Sequence, residues 1–267
     1  MGRKLYYNAN YIVANRNNIV FALIGVFALL KKEGDNLYIF PEGLPANIKS
    51  ITTTKHSSII SYNYLSQSNK KYKINHKYLK ESLGIDNVLI PNQIHSNKVQ
   101  IIDFVKNMRD YECDGFVTSI PDLALGILTA DCFVVQLYSK NLIANLHCGW
   151  KSIYSGIIEN AIKIFDKLGE EVRGAVVGPG ICEDCYQVGK DVIDMFVSKY
   201  GVHHMYKISG NSHFLSLRKV IEIILKDYGI YNIIDLNYCP SCKSYLYSYR
   251  RDKGHTGRML SILMKKM

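Results

Sequence analysis

Leu123–Trp150, LALGILTADCFVVQLYSKNLIANLHCGW, is the stretch whose reading decides the fold. It contains two apolar runs of strand length, LALGILTA at 123–130 and LIANLH at 142–147. Each delivers a polar residue at or just past its C-terminal end, where α/β folds commonly collect site residues. The first run leads into Asp131 and Cys132, and the second ends on His147. Upstream, His95 in NQIHSNKV stands at the end of another short apolar run. Two imidazoles and one thiol are residue types that bind zinc through nitrogen and thiolate sulfur. Three such ligands leave the fourth tetrahedral position open, as a catalytic zinc requires. The separations, 37 and 15 residues, match no compact metal motif such as a helical H-E-x-x-H. Taken singly, each residue also reads as a hydrogen-bonded structural histidine or a small inert core cysteine. Spacing alone leaves both readings standing.

Outward from this stretch the chain alternates strands and helices. IKSITTTK and SSIISYNYL read as strands because β-branched and aromatic residues cluster over short lengths, and VLIPNQIH and KVQIID follow as two more. Asn75 to Leu83 reads as a helix capped by Asn75 and stopped by Gly84. The Asp-Gly pair at 114–115 signals a turn, with Asp114 as its turn residue. Ile157, Ala161, Ile164, Phe165 and Leu168 recur at helical spacing before Gly169, and VRGAVVGPGI is a buried strand running into a Gly-Pro-Gly loop. Helices are expected at Lys190 to Lys199 and Leu217 to Tyr228. The pattern predicts an α/β chain with a central mixed sheet covered by helices, an α/β/α layering without internal repeats. Residues 1–46 are read as an N-terminal extension packed on a single catalytic domain, 47–267.

The 33 Lys+Arg against 23 Asp+Glu give a net charge of +10, but lysines scattered among Asn, Ile and Tyr do not build a nucleic-acid face. Seven cysteines, an odd number, without a cleavable secretory signal, point to a reducing cytoplasm. The twelve apolar residues Ile19 to Leu30 fall short of the roughly twenty a bilayer span needs, so no membrane is expected. A strand pair turning at Gly25, or a core helix, accounts for them. Two C-x-x-C pairs, Cys182/Cys185 and Cys239/Cys242, are separated by 53 residues, beyond the usual ribbon spacing, and are not expected to form a second zinc site. Arg250, Arg251 and Arg258 in the tail carry donor forks suited to phosphate, or simply form a solvated basic end.

Taken together, the motifs form an ordered set. It comprises Thr-Thr near residue 52, Gln93 and His95, Asp-Gly-Phe-Val-Thr at 114–118, Leu-Thr-Ala-Asp-Cys at 128–132 and His-x-Gly-Trp at 147–150. Gly-Pro-x-Ile at 178–181, Cys-Tyr-x-Val-Gly at 185–189, Ser-Tyr-Arg-Arg at 248–251 and Thr-Gly-Arg at 256–258 complete it. This order resembles the YfiH-like family, formerly labelled polyphenol oxidase or laccase and now regarded as purine nucleoside phosphorylases with adenosine deaminase activity. The resemblance spans roughly residues 47 to 264. It implies a zinc ion on His95, Cys132 and His147, and a layered fold like that of cysteine-hydrolase-type toxins. It also implies phosphorolysis of adenosine, inosine and methylthioadenosine to base and ribose 1-phosphate, beside hydrolytic deamination of adenosine. Purine nucleosides and phosphate are then the partners of a monomer or homodimer.

Within that frame Asp131 is the candidate for proton transfer, or equally a carboxylate that supports its neighbouring ligand. Gln93, Lys55, Arg250 and Arg251 are the candidate substrate contacts. Two departures from the family pattern stand out. Lys55 replaces the usual Arg after Thr-Thr, a point charge for a donor fork, and Cys148 fills the position after His147 where Ala is usual. Two other chemistries remain open at this stage: a Cys-His hydrolase with Cys132 as nucleophile activated by His147, and a copper oxidase. The latter fits poorly with eight His and no H-x-H.

Overall fold

The computed structural model describes residues 12–15, 18–21, 28–33, 36–62, 72–104, 111–201 and 203–267. Its core is two six-stranded mixed sheets. The first runs Ile233–Asp235, Gly174–Val177, Phe133–Tyr138, Ile143–Cys148, Gly115–Thr118, Val99–Ile102 across its width. The second runs Ala28–Glu33, Asn36–Pro41, Ile48–Thr53, Met259–Lys265, Ala124–Thr129, Val88–Leu89. The two apolar runs of the deciding stretch therefore lie in different sheets, and the chain passes from one sheet to the other through the turn at Asp131 and Cys132, which leads into Phe133–Tyr138.

Side-chain alternation in Ile143–Cys148 shows how the layers stack. All six residues are buried. Ala144, Leu146 and Cys148 face a cluster shared with the helices Ile157–Lys167, Lys190–Tyr200 and Leu217–Asp227. Ile143, Asn145 and His147 take the opposite face by the period of two. There Ile143 packs with Leu125 and Leu263 of the second sheet. Between the sheets the fully buried Asn145 donates through Nδ2 to the carbonyls of Leu125 (2.8 Å) and Ser261 (3.0 Å). Gln136 donates to Ile262 (3.3 Å) and accepts from the Ser50 hydroxyl (2.6 Å). These satisfied amides tie one sheet to the other across an otherwise apolar gap. The outer face of the second sheet packs Ile51, Leu260 and Ile262 against Leu79 and Leu83 of the helix His76–Leu83.

The single central sheet expected from the sequence is thus replaced by a pair of sheets with helices outside each. A strand buried on both faces reads the same whether a helix or a second sheet covers it, and only the buried Gln136 and Asn145 hint at the difference. The individual elements follow local signals more closely. Asn75 caps its helix by accepting from the N–H of Tyr78 (3.1 Å), and Gly84 ends it at φ 62, a conformation that costs glycine little. Strands Asn18–Phe21 and Ala28–Glu33 occupy the ends of the apolar run, while Gly25 lies outside the described residues. Among the described residues no helix is long and apolar enough to cross a membrane.

Candidate metal centre and cleft

Asp114 is the residue on which the centre is built. It precedes the strand Gly115–Thr118, is fully buried, and its carboxylate accepts from the N–H groups of Ile94 (3.3 Å), His95 (2.9 Å) and Ser96 (2.6 Å), and from the Ser96 hydroxyl (2.8 Å). Those bonds hold His95 at φ 58, a left-handed conformation that a non-glycine residue keeps only when its surroundings fix it. Oδ1 of the same carboxylate meets Nδ1 of His147 at 2.8 Å, and the Asp114 carbonyl accepts from the His147 N–H (2.7 Å). One carboxylate therefore positions both imidazoles. Reading Asp114 as a turn residue missed this; its signal was the unbroken Asp-Gly-Phe-Val-Thr motif, whose strand pairs directly with the one bearing His147.

His95, Cys132 and His147 are brought together, each offering one ligand atom, with all three atoms within 4.8 Å of one another. The two rings meet edge to face at 4.7 Å between centroids. Gly149 keeps the space open, since a Cβ there would lie 3.1 Å from the Cys132 sulfur and 3.3 Å from the His95 ring. Burial alone would push the Cys132 thiol up, but hydrogen bonds and charge from His147 and His95 prevail and bring it down to about 6. Burial likewise opposes charge on His147, yet Asp114 and Cys132 raise it to about 9. Asp114 is held below its usual range because its bonds to His147 and Ser96 outweigh its burial. Such a thiolate with two oriented imidazoles is a donor set ready for a metal, with Asp114 fixing the tautomer of His147.

Around this centre lies a cleft whose two lobes, of about 420 and 1110 Å³, share His95, Asp131, Cys132, Ile181 and Tyr186 as walls. Trp150 and Lys151 extend the smaller lobe, and Tyr249, Arg250 and Arg258 the larger. Asp131 is 8% exposed and sits at φ 89. Its Oδ2 accepts from the Arg250 N–H (2.6 Å) and its carbonyl from the Ile181 N–H (2.9 Å), while Oδ1 is buried without a partner among the described residues. Burial raises its pKa against the opposing bonds from the Arg250 N–H and the Ser248 hydroxyl.

The Arg250 guanidinium donates to the carbonyls of Cys185 (3.3 Å) and Gln187 (3.0 Å) and lies 5.4 Å above the Tyr186 ring. Gln93 lines the larger lobe, but both ends of its amide are bonded to Leu128, donating to its carbonyl (2.8 Å) and accepting from its N–H (2.9 Å). Lys55 pairs with Asp252 at 3.7 Å and lies over Tyr247, and it lines neither lobe. Arg251 turns the other way, donating to the carbonyls of Pro240, Lys243 and Leu246 and to Asp252. Tyr186, Trp150 and Ile181 enter the cleft without having been singled out; their place in the motifs Cys-Tyr-x-Val-Gly, His-x-Gly-Trp and Gly-Pro-x-Ile was the available signal.

The two C-x-x-C pairs are a correction. Expected to stay apart, Cys182, Cys185, Cys239 and Cys242 gather with all four sulfurs within 4.8 Å of one another. The 53 intervening residues are irrelevant because each pair follows the C-terminal end of one of two neighbouring parallel strands, Gly174–Val177 and Ile233–Asp235.

Residues 57–266 match the family model described as multi-copper polyphenol oxidoreductase laccase. A purine nucleoside phosphorylase of Haemophilus influenzae is 30% identical over 236 residues, 82% of this chain and 95% of that protein. One from Clostridium acetobutylicum is 32% identical over 204 residues, 72% and 83% of the two chains. Among solved structures, a Neisseria meningitidis protein superposes with a TM-score of 0.73 at 26% identity, covering 87% of this chain and all (100%) of that one. The Bacillus licheniformis protein YfiH gives 0.76 at 23% identity, covering 89% and 99%. With its family model spanning most of the sequence, and with full-length relatives and the same fold behind it, the chain belongs to the YfiH-like family.

Proposed function

We propose that the chain is a purine nucleoside phosphorylase that cleaves adenosine, inosine and methylthioadenosine with phosphate, and that the same cleft deaminates adenosine. The observation that carries this reading is the convergence of His95, Cys132 and His147 on a cleft that also holds a buried carboxyl, two arginines and the aromatic rings of Trp150, Tyr186 and Tyr249. The donor set fits zinc, which accepts two nitrogens and one thiolate and keeps a position open. A metal held by these three side chains would supply Lewis acidity. The chain's own residues supply the rest. Trp150 and Tyr186 offer flat faces for a purine. Arg250 and Arg258 face the larger lobe, where guanidinium donors suit the co-substrate phosphate. In phosphorolysis a phosphate oxygen bonds to the anomeric carbon as the bond from that carbon to the purine nitrogen breaks. The electron pair leaves with the base, which takes a proton. Asp131, its carboxyl pKa raised by burial and its Oδ1 without a partner among the described residues, is the group to hold that proton.

The copper reading finds little support in the donors. Two histidines and one cysteine also make the trigonal set of a blue-copper site, but among the described residues no methionine lines the cleft to serve as the weak axial ligand. The test is incubation with adenosine, inosine and methylthioadenosine, with and without phosphate, and separation of the products by chromatography. Free base appearing only with phosphate is expected, together with inosine from adenosine regardless of phosphate. No phosphate-dependent release of base from any of the three overturns the reading.

A further inference from the structure

We propose that Cys182, Cys185, Cys239 and Cys242 hold a structural zinc ion that fastens the loop wall of the cleft, an inference independent of the reaction the cleft performs. The geometry is that of paired thiolate turns. In each C-x-x-C the second cysteine donates its N–H to the carbonyl of the first, Cys185 to Cys182 at 3.1 Å and Cys242 to Cys239 at 3.2 Å. The Cys242 sulfur lies 3.8 Å from that of Cys182 and 3.5 Å from that of Cys185. Four thiolates about 2.3 Å from one tetrahedral ion stand about 3.8 Å apart. A disulfide needs about 2.05 Å and pairs sulfurs two at a time, whereas here each faces several others. The Cys182 N–H donates to the Cys239 sulfur at 3.3 Å, the kind of outer hydrogen bond that steadies a metal-bound thiolate.

The surroundings match the charge of such a centre. Four thiolates on a dication leave an excess of negative charge, and two guanidinium groups approach the turns, Arg250 at the Cys185 carbonyl and Arg251 at the carbonyls of Pro240 and Lys243. The segments 178–186 and 236–258 contain no helix or strand, and the backbone bond that joins them is that of the Gly180 N–H to the Tyr238 carbonyl (3.0 Å), not a ladder. A closed metal site does this work in small irregular regions, where binding energy becomes folding energy. Through it the positions of Ile181, Tyr186 and Arg250 become fixed relative to one another, because Ile181 adjoins Cys182, Tyr186 adjoins Cys185 and Arg250 is bonded to the Cys185 carbonyl. The centre is closed, with sulfur at all four corners, and has no part in binding substrate.

The experiment uses the full chain purified without chelators, with metal content measured by mass spectrometry for the unaltered protein, Cys132→Ala and Cys242→Ser. One equivalent of zinc that survives Cys132→Ala but is lost from Cys242→Ser is the expected result, with faster hydrogen exchange confined to 178–189 and 236–252. Zinc content in Cys242→Ser equal to that of the unaltered protein overturns the proposal, as does iron in place of zinc. Should the serine variant prove insoluble, alkylation of the unaltered protein decides. Four thiols protected until a zinc chelator is added support the site, and four that react at once without it overturn it. None of these readouts depends on nucleoside turnover, so failure of the phosphorylase reading would leave them unchanged.

Discussion

The molecule carries two metal-ready clusters less alike than their cysteines suggest. His95, Cys132 and His147 present three donors from the turns and ends of strands, with buried Asp114 pinning two of them and a cleft in front. The four cysteines present sulfur on every side from two loops, backed by backbone groups and guanidinium ions. An incomplete donor set on a rigid scaffold leaves a position for chemistry. A complete set on irregular loops leaves none and contributes order instead. Number of donors and rigidity of support, more than donor type, separate the two roles.

The largest expected effect breaks or upholds that contrast directly. Cys132→Ala is expected to lower kcat/KM for phosphorolysis on the order of 10³-fold, about 4 kcal/mol, with little change in melting temperature. Cys182→Ser is expected to lower the melting temperature far more, because a closed site contributes to folding. Steady-state kinetics and thermal unfolding on both variants check it. If Cys132→Ala melts early while Cys182→Ser only loses activity, the two roles are reversed.

Next comes the support of the open centre. Asp114→Asn keeps the shape but weakens the bond to His147 Nδ1 and the hold on the N–H groups of His95 and Ser96. Metal affinity at the His-Cys-His centre is expected to fall about 10–100-fold, measured by chelator competition, with the sulfur cluster unaffected. An unchanged affinity would mean that the centre does not rely on this carboxylate.

Asp114 also marks the limit of what the sequence reveals. The three candidate donors were legible because each ends an apolar run; the pairing of Phe133–Tyr138 with Ile143–Cys148 puts Cys132 beside His147, and Asp114 ties His95 to the same place. A carboxylate followed by glycine gives the same local signal whether it ends a turn or holds two histidines, since the deciding contacts are 19 and 33 residues away. The sulfur cluster was illegible for a related reason. Ribbon spacing assumes that cysteines meet through a local hairpin, whereas these meet because two parallel strands lie side by side. The doubling of the sheet was hidden because burial on both faces looks alike under helices or strands. Lys55 was placed by its motif alone, and its neighbours proved to be Asp252 and Tyr247.

Arg250 and Arg251 sharpen the comparison further, since both donate to the cysteine-bearing loops but only Arg250 also lines the cleft. Arg250→Ala is expected to raise the KM for phosphate about tenfold, worth about 1.4 kcal/mol, while changing phosphate-independent deamination much less. Arg251→Ala removes donors from the carbonyls of Pro240, Lys243 and Leu246. A loss of about 1–3 kcal/mol of stability is expected from it, without a selective change in the KM for phosphate. Kinetics at varied phosphate and chemical denaturation separate the two, and a phosphate effect confined to Arg251→Ala would assign the tail's donors the other way.

The smallest effect concerns thiol reactivity after metal is stripped from the protein. Cys132 then stands between two imidazoles that bring its pKa down to about 6, whereas Cys242 among its sulfur neighbours is pushed up to about 11 by burial and by those neighbours. The sign follows from which form each environment favours. Cys132 is thiolate above its midpoint, so its alkylation rate should climb as pH rises through about 6 and level off well before pH 8. The gain over an ordinary thiol at neutral pH is modest, because a less basic thiolate is also a weaker nucleophile. Cys242 should still be accelerating at pH 9, its titration centred near 11. Asp114→Asn should move the Cys132 midpoint upward, since loss of the carboxylate weakens the charge on His147 that favours the thiolate. Iodoacetamide labelling followed by peptide mass spectrometry across pH 5 to 9 reads both sites at once. A Cys132 midpoint at the ordinary thiol value would show that the imidazoles do not sustain a thiolate without metal, and the open cluster would then depend on the ion for its own assembly.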